Sequence, residues 1–301
     1  MKIIITGANG FVGQNLTRYL VAAGLEVSPL SLRNLWTLPK GSGAIIHLAG
    51  KAHDTANTSS DEEYFRVNRD LTIKLFNDFL KSDISDFIYF SSVKATADTV
   101  IGNLDEEHLS DPRTPYGKSK LEAENYLLSM QLPDGKRLFI VRPCMIHGPG
   151  NKGNLNLLFK VVEMGMPWPL AAFDNKRSFL SIDNLNFLIS KILENKDVSS
   201  GIYNFADDKS LSTNDLVSII ANSIGKKPIL WRINTNLISS FANFGNILKL
   251  PLNTERLKKL TESYVVSNAK IKRAIGISRL PIQAEEGLKR TIVSFININE
   301  K

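Results

Sequence analysis

The sequence has one cysteine, Cys144, among its 301 residues. A single cysteine excludes an internal disulfide framework and a cysteine-based zinc cluster, so we expect a protein of the reducing cytoplasm. The chain also lacks any run of about 18 uninterrupted apolar residues, and we therefore expect no transmembrane helix. The apolar run in MKIIITGANG is too short for a signal peptide and ends early in glycine.

Long runs of like charge are missing as well, although the formal net charge is +7. The short basic stretches ERLKKL (255–260) and KIKR (270–273) fall in helical patterns and are typical of solvated helix faces, so we expect no nucleic-acid partner. The positive surplus also suits polyanionic ligands such as a dinucleotide and a nucleoside diphosphate. The four histidines lack metal-ligand spacing, and we expect no metal site.

Apolar, β-rich runs alternate with amphipathic helical stretches through the first half of the chain. The runs are continuous, which is typical of strands buried on both faces of a parallel sheet. The alternation predicts an α/β fold with a doubly wound, Rossmann-type sheet. Strands are predicted at 2–6, 43–49, 86–91, 137–143 and 201–207, and helices at 13–24, 61–80 and 117–130.

The second predicted strand, 25–31, is followed by few residues before the next strand begins near Gly43. The interval is too short for a further strand and its crossover helix. The third strand of a doubly wound sheet is therefore predicted to be short or missing. The second strand would then lie at or near the sheet edge, where the missing N–H of Pro29 is tolerated.

The remaining segments, around 147–180 and 207–275, are irregular and rich in Asn, Pro and Lys. We expect them to form a smaller substrate-binding lobe. Within it, 237–252 is apolar enough for a membrane-surface helix, although we favour a lobe helix covering the substrate cleft. The predicted dinucleotide-binding domain comprises 1–146 and about 178–206, and the predicted C-terminal lobe comprises about 147–177 and 207–301.

The stretch TGANGFVG (6–13) follows the first strand and opens the first helix. Its spacing predicts a dinucleotide-binding turn, in which Gly7 makes the tight turn, Gly10 lets the backbone approach a pyrophosphate, and Gly13 allows close helix packing. The helix N-terminus then faces the phosphates. The predicted cofactor contacts of this turn are Gly7, Asn9, Gly10, Phe11, Val12 and Gly13.

No acidic residue stands at the end of the second strand, where a dinucleotide fold usually reads the adenosine ribose. The chain has Ser31 and Arg33 there instead. A missing acid and a nearby guanidinium favour a 2′-phosphate, and thus NADP(H) over NAD(H). The alternative is that Arg33 simply points to solvent.

The stretch TPYGKSKLEAE (114–124) places Tyr116 and Lys120 four residues apart on one helix face. An ammonium near a phenol favours the phenolate and lowers the phenol pKa, which predicts a general acid/base. This spacing is common by chance. It gains weight from its place in a dinucleotide fold, downstream of Ser91 and Ser92 in YFSSVKATAD (89–98). Taken alone, those two serines are more typical of a strand end followed by a turn.

With these motifs, the chain resembles the extended short-chain dehydrogenase/reductases, also called the NAD-dependent epimerase/dehydratase family. Over nearly the whole length, TGANGFVG, IIHLAGKAH, FSSVK, PYGKSKLEAE, VRPCMIHGPG and KRSFLSIDN follow the family's order. More narrowly, SSVK, GPGNKGNLNLL and DNKRSFLSIDNL resemble a bacterial branch that makes UDP-linked 2-acetamido-2,6-dideoxyhexoses for surface polysaccharides. Members of that branch reduce a 4-keto sugar nucleotide at C4.

The resemblance implies roles for individual residues. Ser92 would hydrogen-bond the C4 oxygen beside Tyr116, and Lys120 would tune Tyr116 and hold the nicotinamide ribose. Further implied cofactor contacts are Leu48, Ala49, Gly50, Ser91 and Pro143. Among the implied substrate contacts, Arg177 would clamp the nucleotide diphosphate, and Lys152 and Asn154 would contact the same phosphates. Lys94 would contact the sugar or a phosphate. The turn PWPL (167–170) either sandwiches the uracil or is a plain structural turn.

Two departures from the family pattern narrow the implied chemistry. Dehydratases carry Asp–Glu after the catalytic Ser or Thr, whereas Val93 and Lys94 follow Ser92 here, so we expect no 4,6-dehydration. Many epimerases carry an Asn where this chain has Met145, which weakens an assignment as a UDP-glucose 4-epimerase. Among the other residues near these motifs, His47 is expected to be a hydrogen-bonded core histidine and Cys144 a packed thiol, while His53 could reach the sugar.

The sequence thus predicts an NAD(P)-dependent sugar-nucleotide oxidoreductase. The expected reaction is NAD(P)H-dependent reduction of a UDP-4-keto-6-deoxy-N-acetylhexosamine in the synthesis of O-antigen or capsule precursors. Two alternatives stay open: a UDP-sugar 4-epimerase using tightly bound NAD, and a non-catalytic dinucleotide-sensing protein. The UDP-sugar is the expected partner, weak membrane association stays open, and a homodimer is a family expectation.

Overall fold

Six parallel strands form the central sheet of the computed structural model, which describes residues 1–51, 60–151, 153–248 and 253–299. Their spatial order is β2-β1-β3-β4-β6-β9, so the chain starts near one edge and winds outward in both directions. Two short parallel pairs, β5 with β10 and β7 with β8, lie outside this sheet. The strands are β1 (Lys2–Thr6), β2 (Glu26–Leu30), β3 (Ser42–His47), β4 (Asp86–Phe90), β5 (Asn103–Leu104), β6 (Arg137–Pro143), β7 (Met145–His147), β8 (Phe179–Ser181), β9 (Gly201–Phe205) and β10 (Val265–Val266).

Helices connect these strands and cover both faces of the sheet, as the α/β prediction requires. The predicted helix at 61–80 is confirmed, but a π-helical segment, Phe65–Asp70, interrupts it, and a 3₁₀ turn, Val93–Ala95, follows β4. The α-helices are α1 (Phe11–Ala22), α2 (Asp61–Tyr64), α3 (Leu71–Leu80), α4 (Pro115–Ser129), α5 (Asn154–Glu163), α6 (Ile182–Glu194), α7 (Thr213–Ser223), α8 (Thr235–Leu248), α9 (Thr254–Thr261), α10 (Ala269–Ala274) and α11 (Ala284–Asn299).

The central strands are apolar throughout because both of their faces are covered. In β4, Ile88 and Phe90 pack with α1 and α6 on one face, whereas Phe87 and Tyr89 pack with α3 and α4 on the other. Successive side chains of a strand point to opposite faces, so a strand covered on both sides needs apolar residues at every position. This packing explains the continuous runs in the sequence.

Strand β2 lies at the edge of the sheet, as predicted from the short interval that follows it. It pairs on one side with β1, and Pro29 stands opposite Ile5. The chain then reaches β3 through 31–41 without adding a strand to the sheet. Trp36 of this connection donates to Asp78 Oδ2 at 2.9 Å and lies under the Lys74 ammonium, so the connection covers α3.

A third apolar cluster, separate from the two that cover the sheet, joins α5, α7, α8 and α11 with the segment 168–171. In α8, Ile238 and Ala242 are buried in this cluster, while Leu237 and Phe241 are exposed. A helix is therefore confirmed within 237–252 as part of α8, packed on this cluster, although 249–252 lie outside the described residues. That it covers the substrate cleft stays a prediction. The boundaries between domain and lobe stay a prediction. Across the described ranges, no helix is both long and apolar enough to cross a bilayer.

Candidate active site

The carboxyl ends of β1, β3, β4 and β6 meet at one edge of the sheet because these strands are parallel. The glycine turn follows β1 at this edge. Gly7 has φ +71°, and a Cβ there would lie 2.7 Å from the backbone nitrogen of Ala49. A Cβ on Gly13 would lie 2.3 Å from the Gly7 carbonyl oxygen. Both positions therefore require glycine. The sequence predicted that Gly13 lets the helix pack closely on the strand, whereas in the structure Gly13 packs against the turn itself.

The N-terminus of α1 opens at this turn without a side-chain cap. Its N-cap residue is Gly10, which with Asn9 is exposed, and Phe11 and Val12 form the first helical turn. The first backbone N–H groups of a helix lack intrahelical partners and carry a positive partial charge. Such an uncapped terminus after a glycine turn fits the pyrophosphate of a dinucleotide.

The residues after β3 form the opposite wall of the turn. The backbone nitrogen of Ala49 donates to Thr6 Oγ1 at 3.1 Å, and that of Leu48 to the Thr6 carbonyl at 3.2 Å. His47 bonds Thr6 through Nδ1 and Thr72 through Nε2, at 2.7 and 2.9 Å. Burial, with a smaller contribution from the Lys120 charge, lowers the His47 pKa from 6.5 to about 3. The prediction of a hydrogen-bonded core histidine is confirmed.

Ser31 and Arg33 are exposed just after β2, whose last residue, Leu30, stands opposite Thr6. The backbone N–H of Arg33 donates to Ser31 Oγ at 3.4 Å. The pair therefore lies beside the glycine turn, at the end of the neighbouring strand. Whether Arg33 reads a 2′-phosphate stays a prediction.

Ser92 and Tyr116, which come from the tip of β4 and the first turn of α4, are brought together by the fold. The Ser92 hydroxyl lies near enough to the Tyr116 phenol to lower its pKa as a hydrogen-bonding partner. Ser92 caps the 3₁₀ turn, where its Oγ accepts from the backbone nitrogen of Lys94 at 3.2 Å. The Tyr64 ring lies edge-on to the Tyr116 ring at a centroid distance of 6.2 Å. The phenol and the hydroxyl of the predicted catalytic pair are thus in contact.

The pKa of Tyr116 moves in the direction opposite to the one that the sequence predicted. Burial raises it above 10, the hydrogen bond with Ser92 lowers it by less, and the Tyr64 phenol raises it. The expectation that this pKa is lowered is corrected for the free protein, because desolvation of the phenolate is the largest effect and Lys120 is not among the groups that shift it. In the free protein, Tyr116 is therefore a protonated phenol that can donate a proton.

Lys120 lies one helical turn after Tyr116 and is 5% exposed. Its ammonium donates to the Phe90 carbonyl oxygen at 2.9 Å, at the end of β4. A Cβ on Gly50 would lie 3.1 Å from this ammonium, so a side chain there would crowd it. Burial lowers the Lys120 pKa from 10.5 to about 8, and the Glu124 charge opposes that shift. Lys120 therefore stands between the end of β4 and the predicted cofactor wall.

Ser91 points away from this group, into the protein. Its hydroxyl donates to the carboxylate of Glu124, which is fully buried and also receives Arg142 Nε at 3.0 Å. The expectation that Ser91 faces the cofactor is not met by its side chain. The physical reason is that a buried carboxylate needs several donors, and Ser91 supplies one of them.

Sequence reasoning missed two residues that organise the site. Asn68, fully buried in the π-helical segment, accepts from the backbone nitrogen of Lys51 at 2.7 Å and donates to Ser119 Oγ at 3.1 Å. The sequence feature that could have identified Asn68 is a polar amide within the apolar stripe of the helix at 61–80. The second is Gly117, where a Cβ would lie 2.4 Å from the Lys94 carbonyl oxygen. Glycine at this position lets α4 approach the turn that carries Ser92.

The predicted substrate residues are only partly brought together. The Lys94 ammonium donates to the Asp98 carbonyl at 2.7 Å and lies 4.1 Å from the centre of the Tyr264 ring. Arg177 is half-buried, and its Nε donates to the Glu262 carbonyl at 3.1 Å. Asn154 is exposed at the start of α5. Lys152 and His53 lie outside the described residues.

The remaining predicted residues follow β6 or belong to the lobe. Pro143 and Cys144 are buried, and Met145 is exposed. Burial raises the pKa of the Cys144 thiol, which supports the prediction of a packed thiol. In 167–170, Trp168 is buried and its backbone nitrogen donates to the Ile229 carbonyl at 2.8 Å. Among the described residues, no group of His, Cys, Asp or Glu side chains could hold a metal ion.

Sequence comparisons find nucleotide-sugar enzymes among the relatives of this chain. A UDP-glucose 4-epimerase from Vibrio cholerae is 28% identical over 327 aligned positions, covering 100% of this chain and 97% of the relative. A UDP-2-acetamido-2,6-beta-L-arabino-hexul-4-ose reductase from Pseudomonas aeruginosa is 31% identical, covering 52% of this chain and 38% of the relative.

Solved structures share the fold over almost the whole length. MoeE5 in complex with UDP-glucuronic acid and NAD has a TM-score of 0.75 and 19% identity, with 99% of this chain and 100% of that chain covered. RMD from Pseudomonas aeruginosa complexed with NADPH has a TM-score of 0.72 and 21% identity, with 97% and 98% covered. Residues 3–206 match the sequence profile of one family. The chain is therefore a member of the NAD dependent epimerase/dehydratase family.

Proposed function

We propose that the protein is an NAD(P)H-dependent 4-ketoreductase of a UDP-4-keto-6-deoxy-N-acetylhexosamine, acting in surface polysaccharide precursor synthesis. The observation that carries this proposal is that the fold brings Ser92, at the tip of β4, next to Tyr116 in the first turn of α4, with the buried Lys120 one helical turn later. The absence of Asp–Glu after Ser92 in the sequence argues against dehydration at the same site.

The residues of the glycine turn fit a nicotinamide dinucleotide. The uncapped N-terminus of α1 would receive the pyrophosphate, and the wall formed by Leu48 to Gly50 would lie along the cofactor. Relatives of known structure were solved with NAD and with NADPH. We favour NADPH because Arg33 replaces the acidic residue that would otherwise bind the ribose hydroxyls. When bound, the nicotinamide supplies the hydride.

The reaction then requires one proton and a fixed carbonyl oxygen. Ser92 would hold the C4 oxygen of the sugar, and Tyr116, a protonated phenol, would donate its proton to that oxygen as charge develops on it. Lys120, which is buried next to both the end of β4 and Gly50, would stabilise the resulting phenolate and hold the nicotinamide ribose. The C-terminal lobe would bind the nucleotide, with Arg177 and the 152–154 loop on the diphosphate.

A UDP-sugar 4-epimerase is the second candidate, and the relative that matches over the full chain is named as one. An epimerase would use the same Ser92, Tyr116 and Lys120 but would keep its NAD and return the hydride to the other face of the sugar. Met145, in place of the Asn of many epimerases, favours the reductase. A non-catalytic dinucleotide sensor is the remote alternative, and it has no need of a proton donor at Tyr116.

The deciding experiment is incubation with NADPH or NADH and a panel of UDP-4-keto sugars. Nicotinamide absorbance gives the stoichiometry of cofactor oxidation, and NMR identifies the product. Stoichiometric oxidation with a new C4 hydroxyl supports the reductase. Interconversion of UDP-hexoses without net oxidation supports the epimerase and overturns the reductase. Tyr116→Phe is the matched control, and unchanged cellular function in that variant would favour the sensor.

A further inference from the structure

Tyr264 joins the turn that carries Ser92 to the segment that carries Arg177. It immediately precedes β10 and is 8% exposed. Its hydroxyl lies 3.1 Å from the Val93 carbonyl oxygen and 2.7 Å from that of Ala97. Burial raises its pKa, so the phenol keeps the proton that it donates. One side chain from the C-terminal part of the chain thus holds both ends of the turn after β4.

The backbone of Tyr264 is tied to the residues on either side of Arg177. Its N–H donates to the Lys176 carbonyl at 2.8 Å, and its carbonyl accepts from the Ser178 N–H at 2.9 Å. Arg177 itself donates to the carbonyl of Glu262, two residues before Tyr264. A shift of the Arg177 segment therefore moves the backbone of Tyr264 with it.

The other end of this connection is the Ser92 hydroxyl. The Lys94 N–H donates to Ser92 Oγ at 3.2 Å, and the Ala95 N–H donates to the Ser92 carbonyl at 2.9 Å. The Lys94 ammonium lies over the Tyr264 ring. The position of the Ser92 hydroxyl is thus set by a turn that Tyr264 holds through its hydroxyl and its ring.

We propose that Tyr264 is a positioning residue that couples the Arg177 segment to the Ser92 turn. Binding of the substrate diphosphate at Arg177 then fixes the Ser92 hydroxyl in the geometry needed at C4. This inference rests on the proposed function. Binding energy from the substrate diphosphate is then used at the sugar C4, where it raises kcat.

The first test compares Tyr264→Phe with Tyr203→Phe as a matched control. Tyr264→Phe removes one oxygen and keeps the ring under Lys94. Tyr203 is also buried, at 3% exposed, and its hydroxyl donates to the Ser199 carbonyl at 2.8 Å. We expect kcat to fall about 10- to 100-fold in Tyr264→Phe, with the KM for the sugar nucleotide changed less than about threefold. An equal loss of kcat in Tyr203→Phe would overturn the proposal.

The second test measures the coupling with Arg177→Lys, alone and combined with Tyr264→Phe. If Tyr264 transmits the effect of diphosphate binding, Arg177→Lys lowers kcat in the wild-type background. In the Tyr264→Phe background the same substitution changes only KM, so the effects on kcat are not additive. Additive effects on kcat would overturn the coupling.

The third test does not depend on turnover. Native-state hydrogen exchange is measured at the amides of 94–97 in the free protein, in both Tyr→Phe variants. We expect exchange there to accelerate about tenfold or more in Tyr264→Phe and to stay unchanged in Tyr203→Phe. If the wild type turns over no nucleotide sugar, the proposed function fails, but this measurement still decides whether Tyr264 holds the turn. Unchanged protection would overturn the proposal.

Discussion

The Ser91 hydroxyl donates to the buried carboxylate of Glu124, one helical turn after Lys120. The next residue, Ser92, lies next to the phenol of Tyr116 instead and lowers its pKa. Neighbouring residues of an extended chain point to opposite sides, so the two serines at the tip of β4 reach different partners. Ser91 belongs to a buried charge network with Arg142, and Ser92 belongs to the candidate active site.

This difference predicts opposite phenotypes for two matched substitutions. Ser92→Ala should lower kcat about 10²- to 10³-fold, because it removes the group that we propose holds the C4 oxygen. Ser91→Ala should leave kcat and the Kd for NADPH within about threefold. It should instead lower the free energy of unfolding by about 1–3 kcal/mol, because Glu124 loses a donor. Steady-state kinetics and urea unfolding distinguish the two, and a larger loss of kcat in Ser91→Ala would contradict the assignment.

Lys120→Met tests the buried ammonium. The Lys120 pKa is about 8 in the folded protein and 10.5 in the reference state, so the unfolded chain binds more protons between these values. Stability from this group therefore rises with pH. From pH 8 to pH 10, the wild type should gain about 2 kcal/mol of unfolding free energy relative to Lys120→Met.

Lys118→Met, on the exposed side of the same helix, is the control for that measurement. Its pH dependence should follow the wild type, and its activity should be retained. Lys120→Met should lose at least about 10²-fold in kcat. If the unfolding free energies of the wild type and Lys120→Met changed in parallel with pH, burial would not lower the Lys120 pKa.

His47→Gln tests the lowered histidine pKa. The folded protein protonates His47 only near pH 3, whereas an unfolded chain does so near 6.5. The unfolded state therefore binds more protons in this window, and stability is lost as the pH falls through it. Between pH 7 and pH 5 the wild type should lose about 2 kcal/mol more than His47→Gln. Urea unfolding measures the difference, with the exposed His108→Gln as control, and equal losses in all three proteins would contradict it.

Arg33→Ser tests the cofactor preference. A guanidinium on a 2′-phosphate forms charge-assisted hydrogen bonds, so its removal should raise the Kd for NADPH about tenfold. The Kd for NADH, which lacks that phosphate, should change less than about twofold. Titration of both nucleotides by nicotinamide fluorescence gives the two constants. Arg18→Ser, on the exposed face of α1, is the control. Equal changes in the Kd of both nucleotides in Arg33→Ser would remove the argument for NADPH.

Much of the fold follows from local pattern in the sequence. Continuous apolar runs predicted the central strands, since strands covered on both faces need apolar residues throughout. The short interval between β2 and β3 predicted that Pro29 lies in an edge strand, as the pairing of β2 with β1 confirms. The glycine turn was equally predictable, because the steric demands at Gly7 and Gly13 depend on backbone geometry within a few residues and at the end of β3.

The charge environment of the site could not be predicted in this way. The sequence indicated that Lys120 lies near Tyr116, but burial, which raises the phenol pKa, depends on Tyr64 and the whole surrounding fold. The partner of Ser91 is Glu124, 33 residues along the chain. Lys94, expected to contact substrate, lies over Tyr264, which no local pattern relates to it.

The sequence by itself determined the α/β class, the edge position of β2, and the spacing that puts Tyr116 and Lys120 on one face of a helix. These features depend on periodicity and short spacings, which a linear chain displays directly. Only the tertiary structure decided that Ser91 donates to Glu124, that burial raises the phenol pKa of Tyr116, and that Tyr264 lies between the Arg177 segment and the Ser92 turn. Those outcomes depend on groups far apart in the chain, whose distances and desolvation exist only once the chain has folded.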